Sequence, residues 1–154
     1  MPVALVLGMA GIVGALVVLV PRIWGLPEPP ADTTDARACA GSNVELAEAA
    51  EHFAVKLPDD AAGLRFTSGF NPFFGEYNFT VLFRTTPEGL RALAADSGFA
   101  QPKAVGPITV LTNGACPGPL TFRRGLATEM GARRLVVEMS DPTHPLVYIE
   151  AYDL

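Results

Sequence analysis

The sequence has few of the residues that build metal and catalytic sites. It contains two cysteines and two histidines among 154 residues. No CxxC pair occurs and no histidine stands at ligand spacing from a cysteine, which argues against a zinc site. His52 and His144 belong to no HExxH motif, and GxSxG, P-loop and GxGxxG patterns are missing. We therefore predict no catalytic residue, no cofactor and no metal ligand.

Basic residues are also scarce. The formal net charge is −5, from 16 acidic and 11 basic residues, so a nucleic-acid-binding surface is not expected. Nine of the 11 basic residues are arginine, and alanine, glycine and proline are abundant. This composition favours a bacterial source with a GC-rich genome.

One long apolar run is present, over residues 3–20, and it carries no charged side chain. As a helix with a rise of ~1.5 Å per residue it would be roughly 27 Å long, close to the hydrocarbon thickness of a bilayer. We predict a transmembrane anchor over residues 1–22, with the lipid bilayer as the partner of residues 3–20. A cleaved signal peptide is the alternative, although no basic residue precedes the run.

Two features bear on the orientation of the anchor. Arg22 follows the run, and the positive-inside rule places such a residue in the cytoplasm. Cys39 and Cys116 favour the opposite side, because two cysteines in an oxidising compartment commonly pair. We predict an extracytoplasmic domain at the cell membrane with a Cys39–Cys116 disulfide. Free thiols in a cytoplasmic domain are the alternative.

The rest of the chain divides into a linker and one domain. Residues 23–41 are rich in proline and show no apolar period, as in an extended linker. Residues 42–154 suffice for a single small domain with its own core.

Two helices are predicted in this domain. Ser42 and Glu45 fit a capping box, which predicts a helix from there to about residue 56. Thr86 as N-cap with proline after it predicts a second helix over residues 87–96, which Gly98 would end.

The strands are predicted mainly as hairpins. Apolar and polar residues alternate from Tyr77 to Arg84, and an apolar stretch precedes the loop GFNPFFGE, so a β-hairpin is expected there. Further strands are predicted over residues 108–111, 120–123, 134–139 and 146–152, the last two as a hairpin. Because hairpins outnumber crossovers, we predict an α+β fold: a transmembrane helix, then a mainly antiparallel sheet with two helices on one face.

The order of these segments resembles a known type of protein. The capped helix, LPDDAAGLRF, the aromatic strand, TPEGLRALAADSGF and DPTHPLVYIEAYDL follow one another as in a loose group of small, uncharacterised membrane-anchored or secreted bacterial proteins. The resemblance covers most of the domain. It implies a location at or beyond the membrane and no particular activity.

Two groups of residues are candidates for a binding surface. Phe70, Phe73 and Phe74 surround a proline in a loop, where exposed aromatic rings could dock a partner or touch a membrane surface. The second group could form a basic patch for anionic headgroups or phosphate, and it consists of Arg123, Arg124, Arg133 and Arg134. The structural alternatives are loop aromatics that fold back onto the core and arginines that mark strand ends.

The predicted function follows from the anchor and from the lack of catalytic motifs. We expect a membrane-tethered extracytoplasmic domain that acts by binding, as an accessory to an envelope protein. A small envelope hydrolase is the alternative, with a site formed only in space, such as a Cys116–His144 pair. The same domain facing the cytoplasm is another.

Overall fold

The computed structural model describes residues 32–110 and 120–154. These residues form one sheet and two helices. In chain order the elements are α1 Leu46–His52, β1 Ala62–Asn71, β2 Glu76–Arg84, α2 Pro87–Asp96, β3 Lys103–Val110, β4 Leu120–Met130, β5 Arg133–Glu138 and β6 Leu146–Tyr152.

The six strands form a single sheet in the order β1-β2-β6-β5-β4-β3. Every neighbouring pair is antiparallel. Both predicted hairpins, β1–β2 and β5–β6, are present. The predicted α+β class, with an antiparallel sheet and two helices, is therefore confirmed for the described part of the chain.

The main core lies between the helices and one face of the sheet. Alternate residues of the central strands point to this face, and Phe79, Leu135 and Ile149 are fully buried there. Leu46 of α1 and Leu93 of α2 are buried in the same cluster. The period-two pattern of the strands thus meets the apolar stripes of the helices.

A smaller cluster lies on the opposite face of the sheet. It contains Val110, Phe122, Val136 and Tyr148. The rings of Phe122 and Tyr148 have centroids 6.4 Å apart, so β4 contributes its N-terminal part to this second cluster. Burial raises the pKa of the Tyr148 hydroxyl well above its usual range.

The outer edge of β1 is covered by residues 37–43, which we call the covering strip. The Cys39 amide donates to the Phe66 carbonyl at 2.8 Å. Asn43 binds Phe70 twice, since its Oδ1 accepts from the Phe70 amide at 2.8 Å and its Nδ2 donates to the Phe70 carbonyl at 3.3 Å. Residues 37–41, within the stretch predicted as a linker, therefore lie against the domain and satisfy strand groups that would otherwise face water.

Cys39 is buried in the covering strip and is not a free thiol. Cys116 lies outside the described residues. The pairing of the two cysteines therefore stays a prediction.

The capping box predicted at the start of α1 is wrong. The helix begins at Leu46 with Glu45 as N-cap, and no side chain caps it. The Ser42 hydroxyl instead accepts from the Ser68 amide of β1 at 3.3 Å, and Glu45 accepts from the Thr33 hydroxyl at 2.6 Å. Both side chains are used by contacts with distant parts of the chain, and α1 is shorter than predicted because it ends at His52.

The second helix follows the prediction. It spans Pro87–Asp96, and the Thr86 hydroxyl accepts from the Gly89 amide at 3.1 Å. Gly98 follows with a φ of 73°, a left-handed conformation that glycine adopts without strain. Phe99 after it is buried.

The edge pair β3–β4 is longer than predicted, with strands at 103–110 and 120–130 where shorter ones were expected. No helix within residues 32–110 and 120–154 is long and apolar enough to cross a bilayer. The predicted anchor over residues 1–22 lies outside the described residues.

Candidate binding surface at the aromatic tip

The β1–β2 hairpin ends in a loop whose shape is fixed by its own hydrogen bonds. Phe70 pairs with Tyr77 across the hairpin, and Asn71 pairs with Glu76. The side-chain Oδ1 of Asn71 accepts from the Phe73 amide at 3.0 Å, and the backbone carbonyl of Asn71 accepts from the Gly75 amide at 2.8 Å. We call residues 70–77 the aromatic tip.

Two rings of the aromatic tip face solvent. The exposed fractions of Phe73 and Phe74 are 67% and 74%. Phe70 instead packs on Tyr77, with centroids 4.7 Å apart, and against the main core. The structure therefore separates the three predicted phenylalanines into one half-buried ring, Phe70, and an exposed pair.

A histidine–carboxylate pair supports the base of the tip. His52 Nε2 lies 2.9 Å from Asp153 Oδ1, and the His52 ring stacks on Tyr77 with a centroid distance of 4.1 Å. Asp153 Oδ2 also accepts from the Tyr77 amide at 2.8 Å. The hydrogen bond from His52 lowers the pKa of the Asp153 carboxyl. These contacts join α1, β2 and the segment after β6.

Tyr77 carries a second polar contact at this end of the sheet. Its hydroxyl donates to Glu48 at 3.2 Å. Desolvation, together with the Glu48 carboxylate, raises the pKa of Tyr77. The contacts of His52, Asp153 and Glu48 with Tyr77 thus attach the hairpin to α1 and to the segment after β6.

The four predicted arginines do not form one patch. Arg133 lies on the helix side of the sheet, where its Nη1 donates to the carbonyls of Phe53, Ala54 and Ser97 at 2.9, 3.2 and 3.0 Å. Its guanidinium also sits 5.3 Å from the centre of the Phe99 ring.

Its neighbour Arg134 points to the opposite face, because successive strand residues alternate. Its Nε lies 3.5 Å from Glu129 Oε1. Arg123 and Arg124 are exposed on β4, near the far end of the sheet, and the Arg124 amide donates to Glu138 at 3.1 Å. The four arginines therefore do not share one surface. Binding of an anionic group by any of them stays a prediction.

A groove lies between α2 and the segment before β1. It has a volume of about 540 Å³ and carries four carboxylates, those of Asp59, Asp60, Glu88 and Asp96. Both carboxylate oxygens of Asp60 accept a hydrogen bond, Oδ1 from the Thr85 hydroxyl at 2.6 Å and Oδ2 from the Thr86 amide at 2.8 Å. Gly89 leaves room for this carboxylate, because a Cβ there would collide with it. Within the described ranges, no three acidic, histidine or cysteine residues are placed to hold a metal ion.

The Asp60 contacts predict a specific acid response. The hydrogen bonds from Thr85 and Thr86 lower the pKa of Asp60 to about 2. Since an unfolded aspartate has a pKa of about 3.9, the stabilisation is complete above that pH and is lost as the pH falls toward 2. We expect Asp60→Asn to be less stable than wild type at pH 6 and to lose less stability than wild type on acidification to pH 2. Thermal unfolding at a series of pH values measures both effects.

Asp59→Asn is the matched control, because Asp59 is the exposed neighbour of Asp60. It should keep the acid response of the wild type. Parallel pH curves for Asp60→Asn and wild type would contradict the role given to Asp60.

His144, one member of the alternative Cys116–His144 pair, lies at the end of the sheet opposite the aromatic tip. His144 is exposed in the β5–β6 turn, where its amide donates to Asp141 at 3.2 Å. Cys116 lies outside the described residues.

Comparison of the chain with protein-family models, curated proteins and solved structures finds no match in any of the three.

Proposed function

We propose that this protein is a single-pass membrane protein whose extracytoplasmic domain acts by binding through the aromatic tip. The observation that carries the proposal is the exposed pair Phe73 and Phe74, held on a loop with fixed hydrogen bonds. Exposed aromatic side chains on a rigid element are typical of binding surfaces, because they bury apolar area at little cost in conformational entropy.

The membrane part of the proposal is supported by the sequence. The apolar run over residues 3–20 has the length of a bilayer span. The covering strip supports a location outside the cytoplasm, because its Cys39 is not a free thiol and disulfides persist in oxidising compartments.

Deletion of residues 2–20 tests the tether. We expect the full chain in the membrane fraction after alkaline washing and the shortened chain in the soluble fraction, because the deleted residues supply the apolar span. Mass spectrometry of the membrane-bound protein should give the full-length mass, which distinguishes an anchor from a cleaved signal peptide.

Protease added to intact cells then tests the orientation, and should digest the domain from outside. A shortened chain that stays in the membrane fraction, or a domain protected until the cells are lysed, would contradict the proposal.

A further inference from the structure

We infer that the ligand of the aromatic tip is the interfacial region of the bilayer that carries the protein's own anchor. This inference rests on the proposed function and names the partner of its binding surface. The tip would make a second, peripheral contact with the membrane and hold the domain in one orientation above it.

The tether meets the domain close to the aromatic tip. The Thr33 amide donates to the Ser42 carbonyl at 2.8 Å, so the start of the described chain is fixed beside Ser42. The next residue, Asn43, binds both backbone groups of Phe70. The tether therefore enters the domain at the end of the sheet that carries the aromatic tip.

The length of the tether limits how far the domain can stand from the bilayer. Twelve peptide steps separate Val20 from Asp32, and at ~3.3–3.6 Å per residue they span at most about 43 Å. The opposite end of the sheet lies about 27 Å beyond the tip, because β2 advances ~3.4 Å per residue over eight steps. Because the tether enters beside the tip, the tip can touch the bilayer with a slack tether, whereas contact by the opposite end would use about 27 Å of the tether's reach.

The composition of the aromatic tip favours a lipid interface. Phe73 and Phe74 are the kind of apolar side chain that enters the headgroup and acyl boundary. Residues 69–78 contain no lysine or arginine, and their one charge is that of Glu76. Such a tip suits zwitterionic lipid and is repelled by anionic lipid, in contrast to a basic headgroup-binding patch.

The inference is tested with the full chain in phosphatidylcholine vesicles. Trp24 is the only tryptophan, so a Trp24→Phe background allows one reporter to be placed at a time. In this background we expect the tryptophan of Phe74→Trp to emit at shorter wavelength with vesicles and to be quenched by lipids brominated in their acyl chains. Adding Phe73→Ser should lower the ratio of inserted to free tips about tenfold, the effect of withdrawing one buried phenylalanine.

His144→Trp is the matched control, because His144 is exposed at the opposite end of the sheet. Its reporter should remain unquenched. Anionic phosphatidylglycerol should weaken the quenching of the tip reporter at low salt, and salt should restore it. Equal quenching of both reporters, or stronger insertion into anionic vesicles, would overturn the inference.

Flotation of the same vesicles separates the two proposals. A chain that floats with an unquenched tip reporter would retain its tether and refute the bilayer contact, leaving the tip for a protein partner. A chain that fails to float would refute the tether itself.

Discussion

Arg133→Met is expected to lower the free energy of unfolding by about 2–3 kcal/mol, because three part-buried or exposed hydrogen bonds from one charged group are lost. One guanidinium nitrogen of Arg133 joins three carbonyls from the end of α1 and the end of α2. The variant also loses the contact of the cation with the Phe99 ring. Chemical denaturation of both proteins under the same conditions measures the difference.

Arg134→Met provides the matched control at the adjacent position. Its partner Glu129 is 3.5 Å away and has an exposed fraction of 72%, so the change should cost less than about 1 kcal/mol. Both variants remove one positive charge and keep an unbranched side chain. Equal losses from the two variants would show that net charge matters and the carbonyl contacts do not.

Phe79→Ala is expected to lower the free energy of unfolding by about 3–5 kcal/mol, the range for removal of a fully buried phenylalanine. Phe79 has no exposed surface and lies on β2 between β1 and β6. Its ring is parallel to that of Phe53, with centroids 6.4 Å apart. The cavity left by alanine would therefore open at the contact between the sheet and the segment after α1.

Phe74→Ala is the comparison variant, because it removes a phenylalanine side chain from the surface of the domain and not from its core. Because Phe74 is mostly exposed, the free energy of unfolding should change by less than about 0.5 kcal/mol. Denaturation curves of the two variants, each with an unchanged slope, would confirm the difference. A loss for Phe74→Ala comparable to that of Phe79→Ala would mean that the tip packs on the domain in solution.

The parts of the fold that the sequence predicts are those with local causes. The period-two pattern of β2 and the loop before it locate the first hairpin. Thr86 and Gly98 act on backbone groups within a few residues, and so both ends of α2 are predicted correctly. Strand length in β3 and β4 is missed because bulges at Gly106 interrupt the pairing pattern that a sequence window would show.

The errors come from side chains whose partners are far away in sequence. Ser42 and Glu45 have the spacing of a capping box, yet β1 and Thr33 supply their partners. Nothing in a proline-rich stretch indicates that part of it will pair with Phe66. Long-range pairing thus changes the role of residues whose local pattern is clear.

The candidate site shows the same division. A phenylalanine pair beside proline and glycine is visible in the sequence, and the structure places Phe73 and Phe74 in solvent. Arg133 and Arg134 are neighbours in sequence but are separated by the pleat of β5. His52 and Asp153 are brought together from positions 101 residues apart, and no sequence pattern links them.

The covering strip has a consequence for the quality control of this protein. Residues 37–43 lie near the start of the described domain, and their backbone pairs with the outer edge of β1 at Phe66 and Ser68. A proteolytic cut just after the strip would remove its covalent link to the domain, and dissociation of the strip would then release the domain and expose that edge. Exposed strand edges template intermolecular pairing, so shedding by this route would yield an aggregating fragment in place of a soluble one.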